Sequence, residues 1–138
     1  MHFNLTNYLN NVSDTLKTLV NEEKKIIKIS EEIIKCNSKG NKILLAGNGG
    51  SCSDVEHFGG ELICTFSKKD RKPVSTQLLT GPSSSLTAWG NDFEFETFFE
   101  RQLEANGNNG DILFLLSTGG GNLKKKISTN LIYAAKLA

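Results

Sequence analysis

Histidine, proline, tryptophan and cysteine are scarce in this chain of 138 residues, which has two histidines, two prolines, one tryptophan and three cysteines. Cys36, Cys52 and Cys64 are odd in number and lack the paired spacing of a zinc knuckle, so we expect free thiols in a reducing compartment. Cys52 lies near a predicted helix start, which can lower a thiol pKa, but without a basic partner we expect it to be inert.

The chain also carries almost no net charge. Sixteen Lys plus Arg stand against fifteen Asp plus Glu, a balance that argues against a nucleic-acid partner. No apolar run approaches the roughly 18 residues that a bilayer crossing needs, and residues 1–5 lack the basic flank and apolar run of a signal peptide. We therefore expect a cytoplasmic protein with no membrane partner and one domain spanning residues 1–138.

Apolar residues recur at helical spacing over 4–20 and again up to a turn at Gly40, which predicts two N-terminal helices within residues 1–40. Three short apolar runs then predict strands, and helical patterns separate them. Asp92 is a plausible N-cap for the helix that carries Phe95, Phe98, Phe99 and Leu103. The predicted strands are 42–46, 74–79 and 111–116, and the last helix carries Leu123, Ile127 and Leu131.

Alternating strands and helices indicate βαβ units and a parallel sheet. Each predicted strand ends in a polar turn that leads into a helix, namely Gly47–Ser51, Thr80–Ser84 and Ser117–Asn122. Such turns share the carboxyl edge of a parallel sheet, where ligands bind. Glycine turns before helix N-termini can hold a phosphate through backbone N–H groups, although ordinary helix entries have the same composition.

Two acidic side chains and a histidine share one face of the helix that follows Ser51. His57 and Glu61 are four residues apart and can contribute two ligands to a zinc ion, or they form a surface or helix-packing pair. Asp54, one turn earlier, can orient the His57 ring. Asn91 and Asp92 can bind sugar hydroxyls or cap the next helix.

Taken together, residues 47–62, GNGGSCSDVEHFGGEL, are similar to the GNGGSxxDxxHFxxEL signature of the sugar isomerase (SIS) domain family, and within it to the phosphoheptose isomerases. Residues 90–93, 99–105 and 110–118 support the resemblance. It implies a flavodoxin-like, three-layer α/β/α sandwich with a parallel sheet. It also implies an N-terminal helical arm, a core from residue 41 onward and assembly as a homotetramer.

The resemblance further implies an isomerase that converts sedoheptulose 7-phosphate to D-glycero-D-manno-heptose 7-phosphate in bacterial heptose synthesis, usually with zinc. His57 and Glu61 match zinc ligands, and Glu61 also matches a catalytic acid/base. The substrate contacts implied by the resemblance are Asn48, Gly49, Gly50, Ser51, Asn91, Asp92, Ser117, Thr118, Gly119 and Asn122.

The chain departs from the family pattern in two places. The phosphate loop, Ser117–Asn122, lacks two hydroxyl donors of the family sequence Ser-Thr-Ser-Gly-Asn-Ser. The family's other zinc ligands, a Gln and a His, belong to a C-terminal helix, whereas this chain has only His2 and His57 and ends in the apolar helical pattern 131–138. We therefore expect a C-terminally short form that lacks the last strands and helix, with weak zinc binding and low or absent turnover.

Two other interpretations stay open at this point. The chain is a non-catalytic SIS module that binds a sugar phosphate or a replication-initiator protein, or it is a fragment that does not fold stably because a sheet edge and face are uncovered. Titration with the sugar phosphate separates the first alternative from the enzyme, and a melt without a cooperative transition indicates the second.

Overall fold

The computed structural model describes residues 3–138. Along these residues the helices and strands alternate after an N-terminal pair of helices: α1 Leu5–Thr18, α2 Glu23–Ser38, β1 Ile43–Gly47, α3 Gly50–Ile63, β2 Thr76–Leu78, α4 Ser83–Asp92, α5 Phe98–Asn106, β3 Ile112–Leu116 and α6 Thr129–Leu137. Short 3₁₀ turns precede α2 and α5, at Leu19–Glu22 and Phe95–Thr97.

The chain divides into two compact units, one up to Ile34 and one from Lys35 to Ala138. In the first unit, the Asn4 side chain caps α1 by accepting a hydrogen bond of 3.0 Å from the Asn7 N–H, as favoured cap residues do. The apolar side chains of α1 are exposed, with 55% of Leu9 and 59% of Leu16 accessible. The prediction of an amphipathic N-terminal helix is confirmed.

The second unit is built on a parallel sheet with strand order β2-β1-β3. Leu44 in the central strand pairs with Gln77 on one side and Leu113 on the other. Because both connections are parallel crossovers through helices, the predicted α/β class is confirmed. Gly40 ends the turn after α2 with φ +79°, the left-handed conformation that the sequence predicted there.

Strand β1 lies at the centre of the core, and its residues 43–46 are at most 1% exposed. Leu45 faces α3, whose Val55 is fully buried, whereas Leu44 and Ala46 face the opposite side of the sheet. The cluster on that side contains Leu79, Phe98, Phe99, Leu103, Leu131 and Ala134. Helices therefore cover both faces of β1, which gives the three-layer arrangement that was expected.

The helix predicted to begin at Asp92 is confirmed only in part. Phe98, Phe99 and Leu103 are buried on one face of α5, as predicted. Asp92, however, is the last residue of α4 and not an N-cap, because a 3₁₀ turn intervenes before α5 begins. Phe95 lies in that turn and is 46% exposed, so it does not share the buried face.

The predicted start of the last helix is also wrong. Residues 122–127 form a hairpin, in which the Asn122 N–H donates to the Ile127 carbonyl (2.7 Å) and the Ile127 N–H donates to the Asn122 carbonyl (3.0 Å). Lys126 and Ser128 have φ of +51° and +48°, which no α-helix allows, so α6 begins only at Thr129. The hairpin tip carries Lys124, Lys125 and Lys126, all exposed.

A half-buried ion pair joins the start of β1 to the start of β3. Lys42 Nζ lies 2.5 Å from Asp111 Oδ2, and the Lys42 backbone N–H donates to Asp111 Oδ1 at 2.9 Å. The Asn108 backbone N–H donates a further hydrogen bond to Asp111 Oδ2. Burial alone would raise the pKa of this carboxyl, but the hydrogen bonds and the ammonium outweigh burial, and the pKa of Asp111 is lowered.

We expect Asp111→Asn to reduce the free energy of unfolding by about 2 kcal/mol at pH 7, because it removes a charge-assisted network. The lowered pKa means that the stabilisation is present above the unfolded value of about 3.9 and is lost as the pH falls through the folded value. Urea unfolding from pH 7 to pH 3 should therefore show the difference between variant and wild type shrinking in acid. Glu104→Gln, which breaks an exposed pair with Arg101, is the control and should change stability by less than about 0.5 kcal/mol. A difference between Asp111→Asn and wild type that does not vary with pH would contradict this account.

Adjacent glycines in α3 offer a matched pair of substitutions. A Cβ at residue 59 would lie 2.9 Å from Leu45 Cδ1, whereas a Cβ at residue 60 would meet no atom within 4 Å. We expect Gly60→Ala to stabilise the protein by about 0.5–1 kcal/mol through helix propensity. Gly59→Ala should destabilise it by about 1–2 kcal/mol, because the fully buried Leu45 must move. Thermal melts of both variants test this, and equal effects of the same sign would contradict it.

Candidate functional site

The three polar turns lie at one edge of the sheet, as predicted, because all three strands run parallel and each turn follows a strand's carboxyl end. The turns lead into α3, α4 and α6. None of these three helices has a side-chain hydrogen bond from its N-cap, which is Gly49, Pro82 or Ser128. In α6 the Asn130 side chain accepts from the Leu131 N–H, whereas the first turns of α3 and α4 lack a side-chain cap, an arrangement suited to an anion.

The turn after β1 has a geometry that requires glycine at two positions. Gly49 has φ +54°, and a Cβ at Gly47 would lie 2.5 Å from the Ser51 carbonyl oxygen. Within the turn, the Ser51 N–H donates to the Asn48 carbonyl and the Cys52 N–H to the Gly49 carbonyl, each at 3.0 Å. Gly49 and Gly50 are exposed, so the turn can bring its backbone close to a ligand.

The Asn48 side chain does not point freely into solvent. Its amide nitrogen and oxygen each form a hydrogen bond of 2.9 Å with the amide of Asn130, in the first turn of α6. Asn130 is 2% exposed. The sequence analysis missed this residue, because no local pattern marks a partner that lies 82 residues further along the chain.

His57 and Glu61 lie on the same face of α3, as their spacing predicted. His57 Nε2 is 3.3 Å from Glu61 Oε1, and the side chains are 80% and 34% exposed. Together with Asp54, Phe58 and Phe66 they line an open concavity of about 430 Å³. The other carboxylate oxygen, Glu61 Oε2, is buried and has no hydrogen-bond partner among the described residues.

An imidazole nitrogen beside a carboxylate is a donor set that zinc accepts, and the unpartnered Glu61 oxygen is a suitable further ligand atom. The pair supplies two of the three or four protein ligands usual for zinc. Across residues 3–138, no group of three or more His, Cys, Asp or Glu side chains could hold a metal ion. His2 lies outside the described residues. The donor types fit zinc, but the described residues provide an incomplete ligand set.

The other predicted site residues divide into two groups. Ser117, Thr118 and Gly119 follow β3 directly and lie at the same sheet edge as the Gly47–Ser51 turn. Asn91 and Asp92 lie at the far end of α4, about 13 Å along the helix from its start at that edge. Both side chains are exposed, and the Asn91 amide donates to the Asp92 carboxylate at 2.7 Å. Their role as sugar contacts stays a prediction.

Asn122 and Cys52 have partners that bear on their predicted roles. The Asn122 side-chain oxygen accepts a hydrogen bond of 3.0 Å from the Lys125 N–H and so stabilises the lysine hairpin. Burial, followed by the nearby Glu56 carboxylate, raises the pKa of Cys52, which agrees with an inert thiol. All three cysteines are free thiols, as expected.

The SIS domain family matches residues 7–136 of this chain. The chain belongs to the SIS domain family. Among curated relatives, the SIS domain is 44% identical to phosphoheptose isomerase 1 of Campylobacter jejuni over 113 residues, which cover 82% of this chain and 57% of the relative. It is 40% identical to the phosphoheptose isomerase of Aliarcobacter butzleri over 127 residues, which cover 92% of this chain and 62% of the relative.

Solved structures agree with this assignment. A phosphoheptose isomerase from Neisseria gonorrhoeae superposes with a TM-score of 0.76 at 31% identity, covering 96% of this chain and 67% of that one. A phosphoheptose isomerase from Francisella tularensis superposes with a TM-score of 0.72 at 27% identity, covering 95% of this chain and 69% of that one. The family resemblance seen in the sequence is confirmed. The matched residues of this chain cover 57–62% of the length of the two curated relatives.

Within residues 3–138, no helix is both long enough and apolar enough to cross a bilayer.

Proposed function

We propose that the protein isomerises sedoheptulose 7-phosphate to D-glycero-D-manno-heptose 7-phosphate. The observation that carries the proposal is the Glu61 carboxylate, which has one buried oxygen without a partner and its other oxygen 3.3 Å from His57. Because no internal donor occupies Glu61 Oε2, this oxygen is available to accept and return a proton. The curated and structural relatives, which are named phosphoheptose isomerases, support the choice of substrate.

Ketose–aldose exchange moves one proton from C1 to C2 of the sugar and another between the two oxygens. In the proposed mechanism, the Glu61 carboxylate accepts the C1 proton and returns it to C2. His57 lies beside Glu61 on the same face of α3 and is mostly exposed, so its ring is available as a metal ligand. The two groups share one rigid helix, so their separation is set before the substrate arrives.

The phosphate and sugar of the substrate would bind at the sheet edge. Gly49, Gly50 and Ser51 offer exposed backbone and a hydroxyl at the start of α3, and Asn48 offers its amide. Ser117, Thr118 and Gly119 offer two hydroxyls and further backbone after β3. Helix N-termini at this edge favour a dianionic group through their dipoles, so a basic side chain is not required.

We propose that zinc binds to His57 and Glu61. Ligands other than those that residues 3–138 bring together would complete its coordination. Zinc would supply electrostatic stabilisation of the negative charge that develops on the substrate oxygens. The three free thiols agree with a reducing compartment, and with it a cytoplasmic site of action.

We further propose that the SIS domain forms a homo-oligomer, with the tetramer implied by the family resemblance as the expected form. The apolar stripe of α1 supports this proposal, because its side chains are 39–59% exposed in a single chain and would be covered by a second copy. The stripe consists of Leu5, Leu9, Val12 and Leu16. Sedimentation equilibrium should show a tetramer, and Leu9→Lys should shift it to smaller species. A monomeric wild type would contradict the proposal.

The isomerase proposal is tested by incubating the purified chain with sedoheptulose 7-phosphate and Zn²⁺ and following the heptose product by NMR. We expect slow conversion, with Glu61→Gln at least about 100-fold slower because it removes general acid–base catalysis. Glu56→Gln, on the same helix, is the matched control and should keep the wild-type rate.

Binding measurements separate the remaining outcomes. Calorimetric titration should show weaker Zn²⁺ binding for His57→Ala than for wild type, a readout that is independent of turnover. Sugar-phosphate binding without conversion would favour a non-catalytic SIS module, and neither binding nor conversion would overturn the proposal.

A further inference from the structure

We propose that Asn130 is a positioning residue of the substrate site, which fixes the orientation of the Asn48 amide and joins the turn after β1 to the start of α6. The inference rests on the proposed function, since it concerns how the same sheet edge binds a sugar phosphate. No motif in the sequence pointed to Asn130.

The two amides form a closed, reciprocal pair. Asn48 Nδ2 donates to Asn130 Oδ1, and Asn130 Nδ2 donates to Asn48 Oδ1, each at 2.9 Å. The Leu131 backbone N–H also donates to Asn130 Oδ1 at 2.9 Å. Asn130 is 2% exposed, so these bonds are shielded from water.

The hydrogen-bonding capacity of the amides decides their orientation. A carboxamide has two donor hydrogens and two acceptor lone pairs, and Asn130 Oδ1 already accepts two bonds. Rotating the Asn48 amide by 180° would place nitrogen against nitrogen and oxygen against oxygen, leaving buried groups of Asn130 unpaired. Asn48 is thereby held in one orientation, with one N–H and one lone pair left for a ligand.

Asn130 is itself fixed by the packing of α6. Its neighbour Leu131 is 5% exposed and Ala134 is fully buried in the core cluster beside β1. The hairpin 122–127 and the left-handed Ser128 bring the chain to α6 at a defined point. Because the core holds Asn130 in place, its hydrogen bonds to Asn48 also restrict the neighbouring exposed residues Gly49 and Gly50.

The consequence for binding is a smaller ordering cost. An asparagine side chain that must be immobilised on binding reduces affinity, whereas one that is already held in place does not. The pair also joins the turn after β1 to the first turn of α6.

The test is calorimetric titration of the chain with sedoheptulose 7-phosphate. We expect Asn130→Leu to weaken binding about 10-fold, since Asn48 would then have to be ordered by the ligand. Leu131→Ala is the matched control for damage to α6, and it should lower the melting temperature while changing the affinity less than about twofold. If Leu131→Ala weakens binding as much as Asn130→Leu, or if Asn130→Leu binds as tightly as wild type, the inference is overturned.

A near-isosteric variant tests the pair without the change of side-chain shape in Asn130→Leu. Asn130→Asp can still accept hydrogen bonds from Asn48 and Leu131, but it replaces the bond to Asn48 Oδ1 with a repulsive contact between two oxygen atoms at a buried position. Thr129→Asp controls for the added charge. We expect Asn130→Asp to bind more weakly than Thr129→Asp, and equal affinities would count against the inference.

A spectroscopic readout needs no ligand. In the NMR spectrum the Asn48 Nδ2 proton that bonds to Asn130 Oδ1 should exchange slowly with water in wild type and quickly in Asn130→Leu, and fast exchange of this proton in wild type would overturn the inference. Wild-type protein that shows slow exchange but binds no sugar phosphate would instead overturn the proposed function.

Discussion

The complete burial of β1 is the constraint on which the rest of the molecule depends. A parallel strand with both edges hydrogen-bonded and both faces covered by helices cannot move without breaking ladder hydrogen bonds and disturbing the packing of both helical layers. Leu44 and Leu45 point to opposite helical layers, so the one strand holds α3 on one side and the α5–α6 pair on the other. The turn at its end inherits this fixed position, which is why exposed glycines there can still present a defined backbone.

The sheet edge and α3 supply different chemical groups to the proposed site. The edge supplies helix N-termini and hydroxyls, which suit a phosphate, and α3 supplies a carboxylate, which suits proton transfer, beside an imidazole that suits a metal ion. Gly59 lets α3 approach Leu45 closely, and so it sets the depth at which Glu61, two residues later, is held. The packing of α3 on the sheet therefore also fixes the position of the Glu61 carboxylate.

Local patterns predicted most of the second unit, because strands of continuous apolar residues and amphipathic helices are encoded by residues that are close in sequence. The shared edge of the three turns followed from the parallel topology alone. The hairpin 122–127 was missed because its lysines and leucine fit helical spacing, and only the left-handed Lys126 and Ser128 prevent a helix there. Asn130 was missed for another reason, since its significance depends on a partner brought close by the tertiary fold.

The contact between Asn48 and Asn130 also bears on the order in which parts of the site form during synthesis. A ribosome delivers the chain from its N-terminus, so the glycine turn emerges 82 residues before the partner that orients it. The pairing of β1 with β3 likewise joins residues 69 positions apart, and such distant contacts form slowly. Nascent chains that have released only β1, α3 and β2 contain the signature motif yet lack the partner that orients its asparagine. The orientation of Asn48 that the proposed site requires is thus acquired late in biosynthesis, when α6 docks.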